Sequence, residues 1–211
     1  MSDVSLVWIT PNAEELIAYM ARVSNPQNQD NKDIEKLIQY MLKNKHYSPF
    51  EMVSACIEIN TTRDIGRQIL RHRSFSFQEF SQRYSDVNNL PTMELRECRL
   101  QDTKNRQNSL ETDNQELTAV WTNMQKAVYD ISMSAYNEAL ALGIAKEQAR
   151  ALLPEGLTAS RMYMTGTLRS WLHYMNVRMD IHTQKEHRHI ATAIYDILLK
   201  ELPTVIKASN V

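Results

Sequence analysis

The chain has 211 residues, 24 Lys plus Arg against 25 Asp plus Glu, a formal net charge of −1, and 43% hydrophobic and 23% charged residues. A chain of this size buries enough surface to fold without a disulfide or metal staple, and its balanced charge excludes a generic basic nucleic-acid coat and an acidic disordered tail. Two cysteines, Cys56 and Cys98, suit a reducing cytoplasm; membrane spans and a secretion signal are not expected, and four glycines form no Rossmann or P-loop pattern.

In chain order, Asn12 is placed to cap a helix over residues 13–23, with Glu15 completing a capping box. Residues 24–30 are polar, contain Pro26 and read as a loop. Ile34, Leu37, Ile38, Met41 and Leu42 then follow helical spacing with one apolar stripe. Residues 46–49 break that helix, because the residue before a proline is pushed out of the helical region. Val53, Ala55, Ile57 and Ile59 alternate with Ser54, Cys56 and Glu58, which predicts a half-covered strand. Thr61 caps a short helix reaching about Arg71.

Residues 88–114 are polar and weakly periodic, and read as strand fragments and loop. Asp113 and Glu116 form a capping box that opens a long helix with Leu117, Val120, Trp121, Met124, Val128, Ile131 and Ala135 on one face. Gly143 suits its C-terminal cap, and a further helix over residues 146–153 stops at Pro154. Leu168, Trp171, Leu172 and Met175 repeat at helical spacing, as do Ile190, Ile194, Ile197 and Leu198. The expected fold is α+β: one mixed domain over residues 1–211, with a small, mainly antiparallel sheet flanked by long helices.

The charge is not spread evenly. Between Arg63 and Arg83 stand five arginines and His72, with no lysine and only Asp64 and Glu79 in opposition. Arg63, Arg67 and Arg71 are spaced to share one helix face, and Arg71, His72 and Arg73 are adjacent groups that repel unless an anion sits among them. Arginine's planar fork suits phosphates and carboxylates held in fixed geometry. A second lysine-free window, residues 147–184, holds Arg150, Arg161, Arg169, Arg178, His173 and His182. Arg169, His173 and Asn176 are spaced to share a face beside an apolar stripe, the arrangement that lines a cleft. The expected ligand carries phosphates and flat rings, in effect a nucleotide.

The stretch RHRSFSFQEFSQRYS, from Arg71 through Ser85, resembles the signature of the flavin-dependent thymidylate synthases. Its central part matches that pattern at Ser76, Gln78, Glu79, Ser81, Arg83 and Tyr84. Upstream, His46, Ser48, Pro49, Phe50 and Glu51 resemble a second element of that family, and Gln68 falls three places before Arg71. Downstream, Arg169, Arg178 and the run from His182 to Glu186 resemble its C-terminal block. The likeness spans about residues 21–197 and is weakest over 88–114. Gln78, Phe80, Gln82 and Thr167 depart from the residues most common there; the first two keep the same chemical character, and Gln82 still offers a backbone amide.

The resemblance implies methylation of dUMP to dTMP, with methylenetetrahydrofolate supplying the carbon and FAD passing on a hydride from NADPH. It implies FAD contacts from Ser48, Arg71, His72, Arg73, Glu79, Thr167, Leu168, Arg169 and His173. It implies dUMP contacts from Gln68, Ile69, Leu70, Arg71, Glu79, Phe80, Ser81, Gln82, Arg83, Arg150 and Arg178. Arg178 matches the arginine that polarises the pyrimidine. The family is homotetrameric with active sites at subunit interfaces. Neither cysteine suits nucleophilic attack on the ring, since Cys56 falls in a buried strand pattern and Cys98 in the weakly patterned segment. A chain without that nucleophile activates dUMP by fixed charge in a water-excluded site.

Other readings compete. His182, His187 and His189 invite a metal site, but their spacing points the rings apart and no carboxylate or thiolate set completes it, so no metal is expected. Phe75, Phe77, Phe80 and Tyr84 among arginines suggest a nucleotide or single-stranded RNA-binding module without turnover. Without a basic excess, nucleic acid is not the expected partner. A flavoprotein that oxidises NADPH without methyl transfer is the third reading.

Overall fold

The computed structural model describes residues 3–90 and 95–209. In chain order these form β1 (Asp3–Ile9), α1 (Ala13–Ala21), α2 (Glu35–Lys43), β2 (Ser54–Thr62), α3 (Arg63–Ile69), β3 (Ser76–Glu79), β4 (Arg99–Gln101) and β5 (Ser109–Glu111). The long α4 (Gln115–Ala141), α5 (Lys146–Ala149), β6 (Ala159–Thr167), α6 (Leu168–Arg178), α7 (Lys185–Glu201) and α8 (Pro203–Ala208) complete them. The class is α+β, as expected. By its contacts the chain divides into two compact units, one made of Asn60–Ile69 and Glu79–Met162, the other of Asp3–Ile59, Leu70–Gln78 and Tyr163 onward.

The four-stranded sheet runs in the order β1-β2-β6-β3. Alternation shapes β2: Ala55, Ile57 and Ile59 are buried, while Ser54 and Glu58 are half-buried. Cys56 is buried too, because this strand is covered on both faces here. Trp171 of α6 is fully buried and donates its indole N–H to the Ala55 carbonyl at 3.2 Å, tying helix to strand. Phe75 packs edge-on against Trp171, with ring centroids 4.7 Å apart. Ile190, Ile194 and Leu198 of α7 are buried at the predicted spacing, and α7 packs on α6, α8 and β1.

The first unit is centred on a small cluster of Val87, Tyr136, Ala139 and Ala149, against which Met133, Leu140 and Leu153 pack. β4 and β5 make a short antiparallel ribbon pairing Arg99 with Glu111 and Gln101 with Ser109, so the weakly periodic segment does contain strand fragments; residues 91–94 lie outside the described residues. Over the 27 residues of α4 only Gln125, Tyr136 and Ala139 are buried. Its predicted apolar stripe is exposed, from Trp121 at 38% to Ile131 at 71%.

Local caps differ from expectation. Asn12 adopts the left-handed conformation (φ 51°) and its side chain caps nothing, because the turn from β1 into α1 needs that conformation, which Asn tolerates. Asn114, rather than Asp113, caps α4, its side-chain oxygen accepting the Leu117 N–H at 2.9 Å. Helix α3 starts at Arg63, directly after β2, and ends at Ile69, which leaves Arg71 in the following turn. Gly143 ends α4 with φ 81°, as the C-terminal cap requires.

Gly166 of β6 lies directly beneath the Phe75 ring, in space a Cβ would occupy. Gly166→Ala is expected to lower stability by about 1–3 kcal/mol through overpacking, read as a lower midpoint of urea unfolding; an unchanged midpoint would show that the Phe75 ring has room to shift.

Candidate active site

In the second unit, the turn after α3 carries Arg71, His72 and Arg73. Arg71 and Arg73 are exposed, whereas His72 is half-buried. The Arg178 Nε–H, at the last turn of α6, donates to His72 Nε2 at 2.8 Å. His72 must therefore be neutral and present that nitrogen as an acceptor. Burial foremost, then the positive charge of Arg178 and the nearby His173 and Arg71, lowers its pKa from 6.5 to about 4. Burial also lowers the pKa of Arg178, but a guanidinium remains a cation at neutral pH. The guanidinium thus keeps its charge and is anchored at one edge.

The His72 ring meets Tyr174 edge-on, with centroids 4.9 Å apart. Tyr174 is fully buried, and its hydroxyl shares a 3.0 Å hydrogen bond with His187 Nε2. Burial raises the Tyr174 pKa, so the phenol stays protonated. Of the three histidines considered for a metal, His187 turns inward to Tyr174 while His182 and His189 are exposed. Sequence reasoning assigned neither Tyr174 nor His187 to the site; their signal was a polar group at a core position of each helix, at Tyr174 beside the Trp171/Met175 stripe and at His187 before Ile190.

Farther along the same unit, Arg169 is ion-paired with Glu51, and its guanidinium lies over the Tyr47 ring, 5.8 Å from the centroid. Arg169, His173 and Asn176 line one cavity of about 1080 Å³ together with Tyr47, Ser74 and Ser170. This is the cleft-lining face expected from their spacing. A neighbouring hollow of about 610 Å³ is lined by His46, Ser48 and Pro49, again with Tyr47 and Arg169. Thr167 is the N-cap of α6, its hydroxyl accepting the Ser170 N–H at 3.4 Å, and Leu168 is buried. The second unit thus brings Arg169 and Ser48 to one hollow and Arg169 and His173 to the other.

The first unit holds the remaining candidates except Leu70, which belongs to the second. Glu79 Oε1 accepts from Ser160 Oγ at 2.8 Å and from Arg63 Nη1 at 3.5 Å, so its carboxylate is paired with a buried cation. The expected shared face of Arg63, Arg67 and Arg71 does not form. Arg63 is buried on Glu79, exposed Arg67 pairs with Glu155 at 3.1 Å, and Arg71 lies past the helix end. Phe80 donates its N–H to the Arg161 carbonyl, and the chain then turns, with Tyr84 and Ser85 amides on the Ser81 carbonyl. Arg83 Nε lies 3.4 Å from Glu147, whose carbonyl accepts the Arg150 Nε–H at 3.3 Å. Both arginines are thereby gathered on the segment around Glu147. Gln82 is buried, and its side-chain Nε2 finds no acceptor among the described residues. Ile69 is buried in α3, and Gln68 and Leu70 are half-buried.

Residues 5–204 match the family model described as thymidylate synthase complementing protein. A flavin-dependent thymidylate synthase of Synechocystis sp. is 55% identical over 196 residues, covering 92% of this chain and 88% of that relative. A probable flavin-dependent thymidylate synthase of Paramecium bursaria Chlorella virus 1 is 49% identical over 197 residues, covering 93% and 90%. Among solved structures, the UMP/dUMP methylase PolB from Streptomyces cacaoi, bound with 5-Br dUMP, is similar with a TM-score of 0.80 at 25% identity, covering 99% of this chain and 94% of that one.

The buried imidazoles set an acid limit. His72 at about 4 and His187 at about 3 both lie below their ordinary 6.5, so from pH 6.5 downward the unfolded chain takes up protons that the folded chain refuses. Their contribution to stability is constant above pH 6.5 and is lost as pH drops toward 4, with a ceiling of about 1.4 kcal/mol per pH unit for buried His187 and less for half-buried His72, which water screens. His187→Gln is expected to make the unfolding midpoint less steep between pH 6.5 and 4.5; an unchanged slope would show that His187 is not one of the groups responsible.

Proposed function

The chain belongs to the thymidylate synthase complementing protein family, the flavin-dependent thymidylate synthases, and from that premise we propose how its residues carry out the methylation of dUMP to dTMP. It is an enzyme of that family and depends on a flavin, which we take to be FAD. The observation that carries the reading is Arg178, a cation anchored through Nε to a neutral histidine of the Arg71-His72-Arg73 signature. Anchoring one edge leaves the two terminal nitrogens to face a ligand, and no protein partner holds them among the described residues.

The donor set of the second unit fits a flavin dinucleotide. The cavity at Arg169 offers two cations, Lys43 and Arg169, and the hydroxyls of Ser74, Ser170 and Ser209 for phosphate oxygens, which compete with Glu51 for Arg169, and Tyr47 and His173 for flat rings. Arg169 and His173 would hold FAD there, with Ser48, Arg71, His72, Arg73, Glu79, Thr167 and Leu168 as further contacts. When bound, the flavin supplies the hydride chemistry. We assign NADPH as its reductant and methylenetetrahydrofolate as the carbon donor; together they replace the C5 proton of the pyrimidine with a methyl group.

The protein's own work is binding and field. Ser81, Gln82, Arg83 and Arg150 take the phosphate of dUMP, and Gln68, Ile69, Leu70, Arg71, Glu79 and Phe80 take the rest of the nucleotide. Arg178 donates to the pyrimidine carbonyl edge, where negative charge gathers as C5 becomes nucleophilic. Arg178 is half-buried, which shields that donation from part of the surrounding water. Neither Cys56 nor Cys98 is needed for it, and both are buried. Residues 1–211 work as one catalytic domain in the cytoplasm. A homotetramer is supported by the exposed stripe of Val120, Met124, Val128 and Ile131 on α4, which water disfavours and a second copy would cover.

Purified protein is expected to be yellow and to form dTMP anaerobically from dUMP, NADPH and methylenetetrahydrofolate. Arg178→Ala is expected to lower kcat by at least about a hundredfold while flavin stays bound; full activity in that variant would sink the proposed role of the charge, and a wild type making no dTMP would sink the whole reading. For the assembly, sedimentation of Met124→Glu/Ile131→Glu should show species smaller than the wild type; an unchanged mass removes α4 from the interface.

A further inference from the structure

We propose that His187 is a positioning residue for the reaction: its bond to the Tyr174 hydroxyl fixes the phenol ring, that ring fixes the His72 imidazole, and His72 sets the plane of the Arg178 guanidinium. The inference deepens the reading of Arg178 given above and rests on it. The chain of contacts is continuous inside the second unit. His187 Nε2 meets the Tyr174 hydroxyl at 3.0 Å; the Tyr174 ring meets the His72 ring edge-on at 4.9 Å; His72 Nε2 accepts the Arg178 Nε–H at 2.8 Å. The His187 ring also stands at 89° to His72, with centroids 6.4 Å apart, so it walls His72 directly.

Two features make this more than core packing. His187 is fully buried on a helix whose other buried residues are Ile190, Ala191, Ile194 and Leu198. An apolar residue at that position would pack equally well and avoid the cost of burying an imidazole. What an apolar residue lacks is a partner for the Tyr174 hydroxyl, which is buried with it. The second feature is the acceptor role of His72. A hydrogen bond to a ring nitrogen is directional, so a rotation of the imidazole by a few tens of degrees takes its lone pair off the Arg178 Nε–H. The hydroxyl, its imidazole partner and the two edge-on contacts restrict the orientations open to His72.

The test compares His187→Leu, His187→Gln and Tyr174→Phe in the flavin-loaded protein, measuring kcat and KM for dUMP together with flavin bound per chain. Glutamine carries a polar terminus close to where Nε2 stands. His187→Leu and Tyr174→Phe are expected to lower kcat by about ten- to a hundredfold with KM and bound flavin unchanged, as a misplaced catalytic group does. His187→Gln is expected to restore kcat to within about threefold of the wild type. Wild-type kcat in Tyr174→Phe overturns the proposal, as do equal losses in the leucine and glutamine variants or losses that track missing flavin. Should His187→Leu fail to fold, Tyr174→Phe against His187→Gln decides alone. A wild type that makes no dTMP, or an Arg178→Ala variant at full rate, sinks the underlying reading instead; an inactive Arg178→Ala beside a fully active Tyr174→Phe sinks this inference only.

Discussion

The second unit turns on one hydrogen bond, from the guanidinium of Arg178 to the ring nitrogen of His72. A cation beside an imidazole is ordinarily repulsive; here burial keeps the imidazole neutral, so the contact becomes a directional bond rather than a clash between charges. Three consequences follow from that neutrality. His72 cannot neutralise an anion by itself, which leaves that work to the exposed Arg71 and Arg73. Arg178 keeps its full charge for a ligand. The adjacent charges of the signature also stay at two, those of Arg71 and Arg73, well below neutral pH, which eases their mutual repulsion.

The other arginines divide by their partners, and the division explains why a lysine-free stretch is useful. Arg63 is buried against Glu79, which also takes the Ser160 hydroxyl. A planar, weakly hydrated cation tolerates that burial better than an ammonium. Arg67 and Arg83 make exposed ion pairs with Glu155 and Glu147 that contribute little to stability. Such pairs are easily exchanged for a stronger anion. Arg169 has both an ion pair and an aromatic ring beneath it, which holds its charge at the wall of the large cavity.

Long, one-sided apolar patterns were legible in the sequence. The stripes of α2, α6 and α7 appear where spacing placed them, and the alternation of β2 does so except at Cys56, because each reflects burial of its own periodicity. β1, β6 and α8 were not read. β6 alternates Ser160, Met162, Met164 and Gly166 inward, but two of those four residues are weak strand formers and the pattern resembles an irregular segment. α8 is a six-residue helix opened by Pro203, too short to show a period. The N-cap of α1 is Asn12, as read, but its left-handed backbone leaves the side chain without a cap bond, whereas the cap of α4 falls on Asn114 and not on Asp113, since Asn and Asp compete for adjacent positions and only backbone geometry chooses between them.

The amino-acid order by itself determined the family signature, the α+β class, the arginine concentration and the cleft face of Arg169, His173 and Asn176, because each is written in residue identity or in local period. Tertiary structure alone decided which arginine is paired, which imidazole is neutral and which hydroxyl needs a partner. Those properties depend on burial and on neighbours far away in the chain: Arg178 meets His72 across 106 positions and Ser160 meets Glu79 across 81. No local spacing encodes contacts of that range; the fold brings the groups together and excludes the water that would otherwise level their charges.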